Sequence, residues 1–184
     1  QMKNIFTILF LLMTITIYSQ SEKPELVIAT ERVEPGIIFI FEGAIKDNIS
    51  PSSMHLSEKD TNIHIEARVN WDTNNTPAGT PSGGFIPYLH ISAQVVNQRT
   101  GMSTFIDLLP HINLIDNFHY ARNISLPGSI EDSYSVKFNI MGPSGTDLAL
   151  HMDWLKLYGD KILTNKTFSY TDINFAEVAK ASRN

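Results

Sequence analysis

Six histidines are the residues of this chain best suited to bind a transition metal, because the sequence contains no cysteine. They lie at positions 55, 64, 90, 111, 119 and 151. The lack of cysteine excludes thiol catalysis, thiolate zinc sites, iron–sulfur clusters, disulfides and a lipid-modified N-terminal cysteine. A transition metal bound by this chain must therefore use imidazole, methionine or carboxylate ligands.

His64 and Glu66 lie two positions apart in a run of alternating apolar and polar residues. Successive side chains of a strand point to opposite faces, so the two share one face and can meet the same cation. An ordinary solvated strand face gives the same alternation. The spacing alone leaves both interpretations open.

His111 and His119 flank a short segment that follows Pro110 and contains the turn signal Asp116-Asn117. A strand, a loop and a second strand would bring both imidazoles to one rim. Small residues share a strand face with His119 and leave room beside it. The alternative interpretation is one loop histidine and one packed histidine, with no ligand shared between them.

The other three histidines are assigned differently. His151 follows the turn at residues 142–145, and the local periodicity does not indicate which way its side chain points. His90 shares a polar strand face with Ser92, and His55 lies in a predicted loop. We leave His90 and His55 outside the predicted site.

Short strands must position these residues. Apolar and β-branched runs bounded by Gly, Pro, Asn and Asp predict eight strands and no sustained helix. The strands are centred on residues 26–33, 37–41, 63–71, 86–96, 103–108, 118–126, 134–141 and 166–175. Successive antiparallel strands without intervening helices predict an all-β fold, an immunoglobulin-like antiparallel β-sandwich.

The start of the chain predicts export. Lys3 precedes a short apolar run at residues 5–17, and the small residue Ser19 follows it. Such a run is too short for the roughly 20 residues that span a bilayer, so we predict a signal peptide at residues 1–19 and one domain at residues 20–184. An uncleaved buried helix is the alternative. The expected location is the periplasm or the exterior.

The composition excludes several classes of function. A hydrophobic fraction of 42% with 18% charged residues is typical of a folded domain. A net charge of −5 without a basic patch speaks against a nucleic-acid partner. The sequence has no Gly-rich phosphate loop, nucleophile elbow or metalloprotease helix motif, so phosphoryl and acyl transfer have no support.

Four short motifs occur in an order that resembles the bacterial periplasmic iron-transport protein family. They are His-Ile-Glu-Ala at 64–67, Phe-Ile-Pro-Tyr-Leu at 85–89, Leu-Pro-His at 109–111 and His-Tyr-Ala-Arg-Asn-Ile at 119–124. The resemblance runs from about residue 26 to residue 175. It implies an exported, immunoglobulin-like, usually dimeric protein that carries copper and serves an inner-membrane iron permease.

The resemblance also implies the metal ligands. The family's His-x-Glu strand falls on His64 and Glu66, its His-Tyr pair on His119, and a later histidine is best matched by His151. A family methionine that follows a proline is His111 here, and imidazole in place of thioether favours Cu(II), zinc or nickel over Cu(I). The interval from His111 to His119 is one residue longer than in the family, so the loop must bulge or the ligand must shift. Asp116 is then a candidate acceptor for one imidazole ring.

The sequence thus predicts an exported metal-binding protein of an iron-uptake system, a carrier rather than an enzyme. Copper is the expected metal, with iron bound as well and zinc as the alternative. The expected partners are an inner-membrane iron permease and a second copy of the chain in a homodimer. Two other functions stay open: a copper or zinc oxidoreductase of the ferroxidase or superoxide dismutase type, and a metal-free interaction module.

Overall fold

The computed structural model describes residues 24–183, so the predicted signal peptide lies outside the described residues. The described part contains eight strands and two short α-helices. The strands are β1 Leu26–Val33, β2 Ile37–Ala44, β3 Ile63–Trp71, β4 His90–Asn97, β5 Ser103–Asn113, β6 Asn117–Ile124, β7 Ser133–Met141 and β8 Lys166–Asn174. The helices are α1 Met152–Tyr158 and α2 Ala176–Lys180. No helix within residues 24–183 is long and apolar enough to cross a bilayer.

The strands form one antiparallel sheet in the order β1-β2-β3-β6-β5-β4-β7-β8. The prediction of an all-β antiparallel fold is confirmed. The predicted immunoglobulin-like sandwich of two sheets is not confirmed, because β5 is longer than the sequence pattern suggested. Residues 103–108 of β5 pair with β4 and residues 109–113 pair with β6, so one strand joins the two halves of the sheet.

The sheet curves until its two edges meet, and it is nearly closed into a barrel. The hydroxyl of Tyr170 in β8 donates a hydrogen bond to Glu31 in β1 at 2.9 Å, which joins the edge strands. Inside, the ring of Phe41 in β2 stacks on Phe138 in β7 with 4.1 Å between centroids. Burial of such large rings stabilises the packing of the two halves against each other.

Alternation along β3 and β6 decides which residues face away from this core. Ile63, Ile65 and Ala67 of β3 point inward and are fully buried. Tyr120 of β6 also points inward, where its hydroxyl donates to the carbonyl of Ile86 at 2.8 Å. Since neighbours on a strand point to opposite faces, His64, Glu66 and His119 lie on the outer face of the sheet.

Candidate metal centre

Three neighbouring strands bring four of the predicted ligands to one patch of the outer face. β6 pairs with β3 on one side and with β5 on the other, and His111 in β5 lies directly opposite His119 in β6. In β3, Glu66 lies opposite Ala121, whose small side chain leaves the space beside the carboxyl group open. Strand register therefore places His64, Glu66, His111 and His119 together.

The ligand atoms of His64, Glu66 and His119 all lie within 4.8 Å of one another. Glu66 Oε2 is 3.5 Å from His119 Nε2 and 3.9 Å from His64 Nε2. The ring of His111 completes the group, with its centroid 5.3 Å from that of His64 and 5.8 Å from that of His119. Two imidazoles and a carboxyl group thus form an inner set, with a third imidazole at its rim.

This outer face is buried. His64 is 4% exposed, and Glu66 and His119 are each 2% exposed. The segment between β2 and β3, residues 45–62, covers them, and Asn123 holds it there by donating to the carbonyls of Asp47 and Leu56 at 2.8 and 2.9 Å. The interpretation of His64 and Glu66 as part of a solvated strand face is therefore wrong.

Each of the three imidazoles donates a hydrogen bond through Nδ1. Both N–H groups of Asn123 are used on the covering segment, so its oxygen accepts from His64 Nδ1 at 2.9 Å. His111 donates to the carbonyl of Leu109 at 2.8 Å, and His119 donates to that of Asn117 at 3.0 Å. Every Nε2 then keeps its lone pair, which is the arrangement that metal-binding histidines show.

Burial sets the charge of the cluster. Removal from water lowers the pKa of His64 to about 3 and lowers the pKa values of His111 and His119 as well. Burial, followed by the nearby carboxyl group of Glu42, raises the pKa of Glu66 to about 8. Without a cation the imidazoles are therefore neutral and the Glu66 carboxyl group is protonated at neutral pH. Neutral nitrogen donors beside one carboxyl group fit a borderline divalent ion such as Cu(II) or Zn(II).

An ion pair lies beside the cluster on the same face. Arg68 donates two hydrogen bonds to the buried carboxylate of Glu42, at 2.6 and 2.7 Å, and lies 3.5 Å from Asp116. Asp116 also accepts from Asn113 at 2.9 Å. The idea that Asp116 orients a ligand ring is wrong, because backbone carbonyls and Asn123 hold the rings instead.

The turn between β5 and β6 accommodates the long interval between His111 and His119. Asn113 pairs with Asn117 across the end of the hairpin, and Asn117 has a left-handed backbone with φ of 61°. The side-chain oxygen of Asn113 accepts from the backbone N–H groups of Ile115 and Asp116 at 2.8 and 2.6 Å. This turn closes the hairpin, and the two histidines stay in register.

A cavity of about 390 Å³ opens over His64, His111 and His119. His151, the fifth predicted ligand, is exposed, precedes α1 and lies outside the lining of this cavity. His55, which the sequence pattern did not single out, does line it. The cavity lining is Asp47, Asn48, Ile49, Ser50, His55, His64, Pro110, His111, Ile112, Asn113, His119 and Arg183.

Asn123 is a positioning residue that the sequence pattern did not reveal. We expect Asn123→Ala to weaken transition-metal binding by roughly 10- to 100-fold, because it frees the ring of His64 and releases the covering segment. A Cu(II) titration of the metal-free protein measures the change. Asn70→Ala is the matched control, since Asn70 also lies in the sheet but donates to Gly83 away from the cavity. Equal affinities for the two variants would contradict this role.

Several known proteins resemble the chain, among them one curated relative and two solved structures. The 34 kDa membrane antigen of Treponema pallidum is 28% identical over 97 residues, which are 53% of this chain and 47% of that protein. The chain thus spans about half the length of this curated relative. The structure of a copper-bound variant of Campylobacter jejuni P19 has a TM-score of 0.68 at 24% identity, covering 81% of this chain and 96% of P19. A copper-bound variant of FetP from uropathogenic Escherichia coli strain F11 has a TM-score of 0.65 at 23% identity, covering 80% and 95% of the two chains. At these identities the structural likeness shows that the fold is shared.

The family match covers most of the chain. The family model described as Fe2+ transport protein matches residues 22–177, which include all eight strands and the whole cluster around Glu66. The resemblance inferred from the four short motifs is confirmed. The chain belongs to the Fe2+ transport protein family.

Proposed function

We propose that this chain is a periplasmic protein of an iron-uptake system that binds copper through His64, Glu66, His111 and His119. One observation carries the proposal: three neutral imidazoles, each fixed through Nδ1, share a buried cavity wall beside a carboxyl group. Membership of the Fe2+ transport protein family supports the role in iron uptake. The copper-bound structures of P19 and FetP support copper as the metal.

The donor set favours oxidised copper. Imidazole nitrogen is a harder ligand than a thioether, so His111 in place of the family methionine favours Cu(II) over Cu(I). Bound copper supplies one-electron transfer between these two states. The chain's own residues hold the imidazoles in one orientation and exclude water, since the inner ligands are almost fully buried. Zinc is the competing metal for such a site.

Iron handling is the second part of the proposal. Glu66 offers the oxygen ligand that iron accepts readily, and Glu42 and Asp116 add negative charge nearby. We propose that the protein works in the periplasm, the compartment in which FetP of E. coli strain F11 was expressed for its as-isolated structure. There it would deliver iron to an inner-membrane permease. His151 stays a predicted ligand, although it lies outside the lining of the cavity.

A metal titration tests the proposal. We expect the metal-free protein to bind one Cu(II) per chain in a saturable manner, more tightly than Zn(II) and reduced copper. His90→Ala serves as the control because His90 is exposed and outside the cavity. His111→Met is the informative variant, and we expect it to shift the preference towards reduced copper by about 10-fold or more, since a thioether prefers Cu(I). No stoichiometric copper binding in the wild-type protein would overturn the proposal.

A further inference from the structure

The segment that covers the site, residues 45–62, brings another imidazole to the cavity. The ring centroid of His55 lies 5.0 Å from that of His111, with the planes at 72°. Together with His64 and His119, these two rings line the same cavity. His55 therefore lines the same cavity as the proposed ligands, but from the covering segment rather than from the sheet.

Two buried nitrogens at this point have no hydrogen-bond partner within residues 24–183. They are Nδ1 of His55 and Nε2 of His111, which belong to the adjacent rings. A buried polar atom without a partner is unfavourable, and a bound ion is one of the explanations for it. Both nitrogens are of the kind that binds a borderline transition metal, and Nε2 of His111 is already left free by the bond from its Nδ1.

The backbone on both sides of His55 is fixed by side chains of β6. Arg122 donates to the carbonyl of Met54 at 2.7 Å, and Asn123 donates to the carbonyl of Leu56 at 2.9 Å. Arg122 and Asn123 follow His119 on the same strand. The strand that carries one ligand thus also positions the residues that flank His55.

We propose that His55 is a further ligand of the same centre and binds the metal through Nδ1, next to His111. The segment at residues 45–62 then both covers the cavity and closes the coordination sphere from outside. A site with four imidazoles of a single chain is nitrogen-rich and suits Cu(II) or Zn(II). This inference rests on the proposed function, because it assigns a ligand to that site.

The test compares His55→Ala with His90→Ala, which removes an exposed imidazole elsewhere. We expect His55→Ala to lower Cu(II) affinity by at least about 10-fold and to remove one nitrogen coupling from the electron paramagnetic resonance spectrum of the copper-loaded protein. Copper should also slow amide hydrogen exchange of residues 45–62 in the wild-type protein, and should do so much less in His55→Ala. Circular dichroism of both variants checks that they are folded, and His55→Gln repeats the test with a larger side chain.

The outcomes separate the two proposals. If His55→Ala has the same copper affinity and the same spectrum as His90→Ala, His55 is not a ligand. If His64→Ala loses copper binding in the same experiment, the copper site itself is supported. Unchanged copper binding in His64→Ala would overturn the site itself.

Discussion

The variant that lacks both inner imidazoles, His64→Ala/His119→Ala, is expected to bind Cu(II) more than about 100-fold more weakly than the wild-type protein. Loss of a partner that only orients a ligand already costs roughly 10- to 100-fold, and this variant loses two ligands themselves. His55, Glu66 and His111 remain, but Glu66 loses both of the imidazoles whose nitrogens lie within 4.8 Å of its carboxyl oxygen. Competition against a chelator of known affinity measures the change.

The matched control for this variant is Asn70→Ala/His90→Ala, which changes two polar residues outside the cavity. We expect its copper affinity to stay close to that of the wild-type protein. If His64→Ala/His119→Ala binds copper as tightly as this control, the proposed ligand set is wrong. Thermal unfolding of both variants establishes that they are folded.

The metal-free protein is expected to lose unfolding free energy most steeply as the pH falls from about 4.5 towards 3. His64 has a pKa of about 3 in the folded protein against an ordinary value of 6.5, so the unfolded chain binds more protons in that window. Each unit of pKa difference corresponds to about 1.4 kcal/mol. The lowered pKa values of His111 and His119 act in the same direction.

Glu66 acts in the opposite direction. Its folded pKa of about 8 lies above the ordinary value of 4.5, so the folded state binds more protons between these values, and its contribution to stability is lost as the pH rises. Below about pH 4.5 Glu66 is protonated in both states and no longer offsets the imidazoles, and the lowered pKa values of Asp72, Asp132 and Asp147 add to the loss of stability in acid. Urea unfolding at several pH values measures the curve, and His64→Gln should flatten its limb below about pH 4.5. A limb between about pH 4.5 and 3 that is as steep in His64→Gln as in the wild-type protein would show that His64 is not buried in neutral form.

Local sequence patterns predicted the strands well. The bounds of β1 and β3 match the alternating runs from which they were inferred. The predicted end of β5 at residue 108 was wrong, because a proline at position 110 is typical of a strand end. In the structure the strand continues, and Pro110 pairs with Tyr120 in β6. Because β5 continues, the two predicted sheets are one sheet. The sequence pattern could not predict this, since alternation within a strand does not encode which strands pair over long distances.

The site was predicted in part, for a similar reason. Alternation placed His64 and Glu66 on one face, but their burial depends on residues 45–62, which have no periodic pattern. His55 is a loop histidine without diagnostic spacing, so only the fold shows that it reaches the cavity. Asn123 donates hydrogen bonds to the carbonyls of Asp47 and Leu56 on that segment, and no sequence motif connects these residues.

Electron paramagnetic resonance of the Cu(II)-loaded protein tests the central claim most directly, because nitrogen hyperfine couplings count the imidazoles bound to copper. We predict one Cu(II) signal per chain with couplings from at least three imidazole nitrogens, and loss of two of these couplings in His64→Ala/His119→Ala. A stoichiometric signal without nitrogen couplings, or one that the double variant leaves unchanged, would contradict a copper centre built on His64, Glu66, His111 and His119.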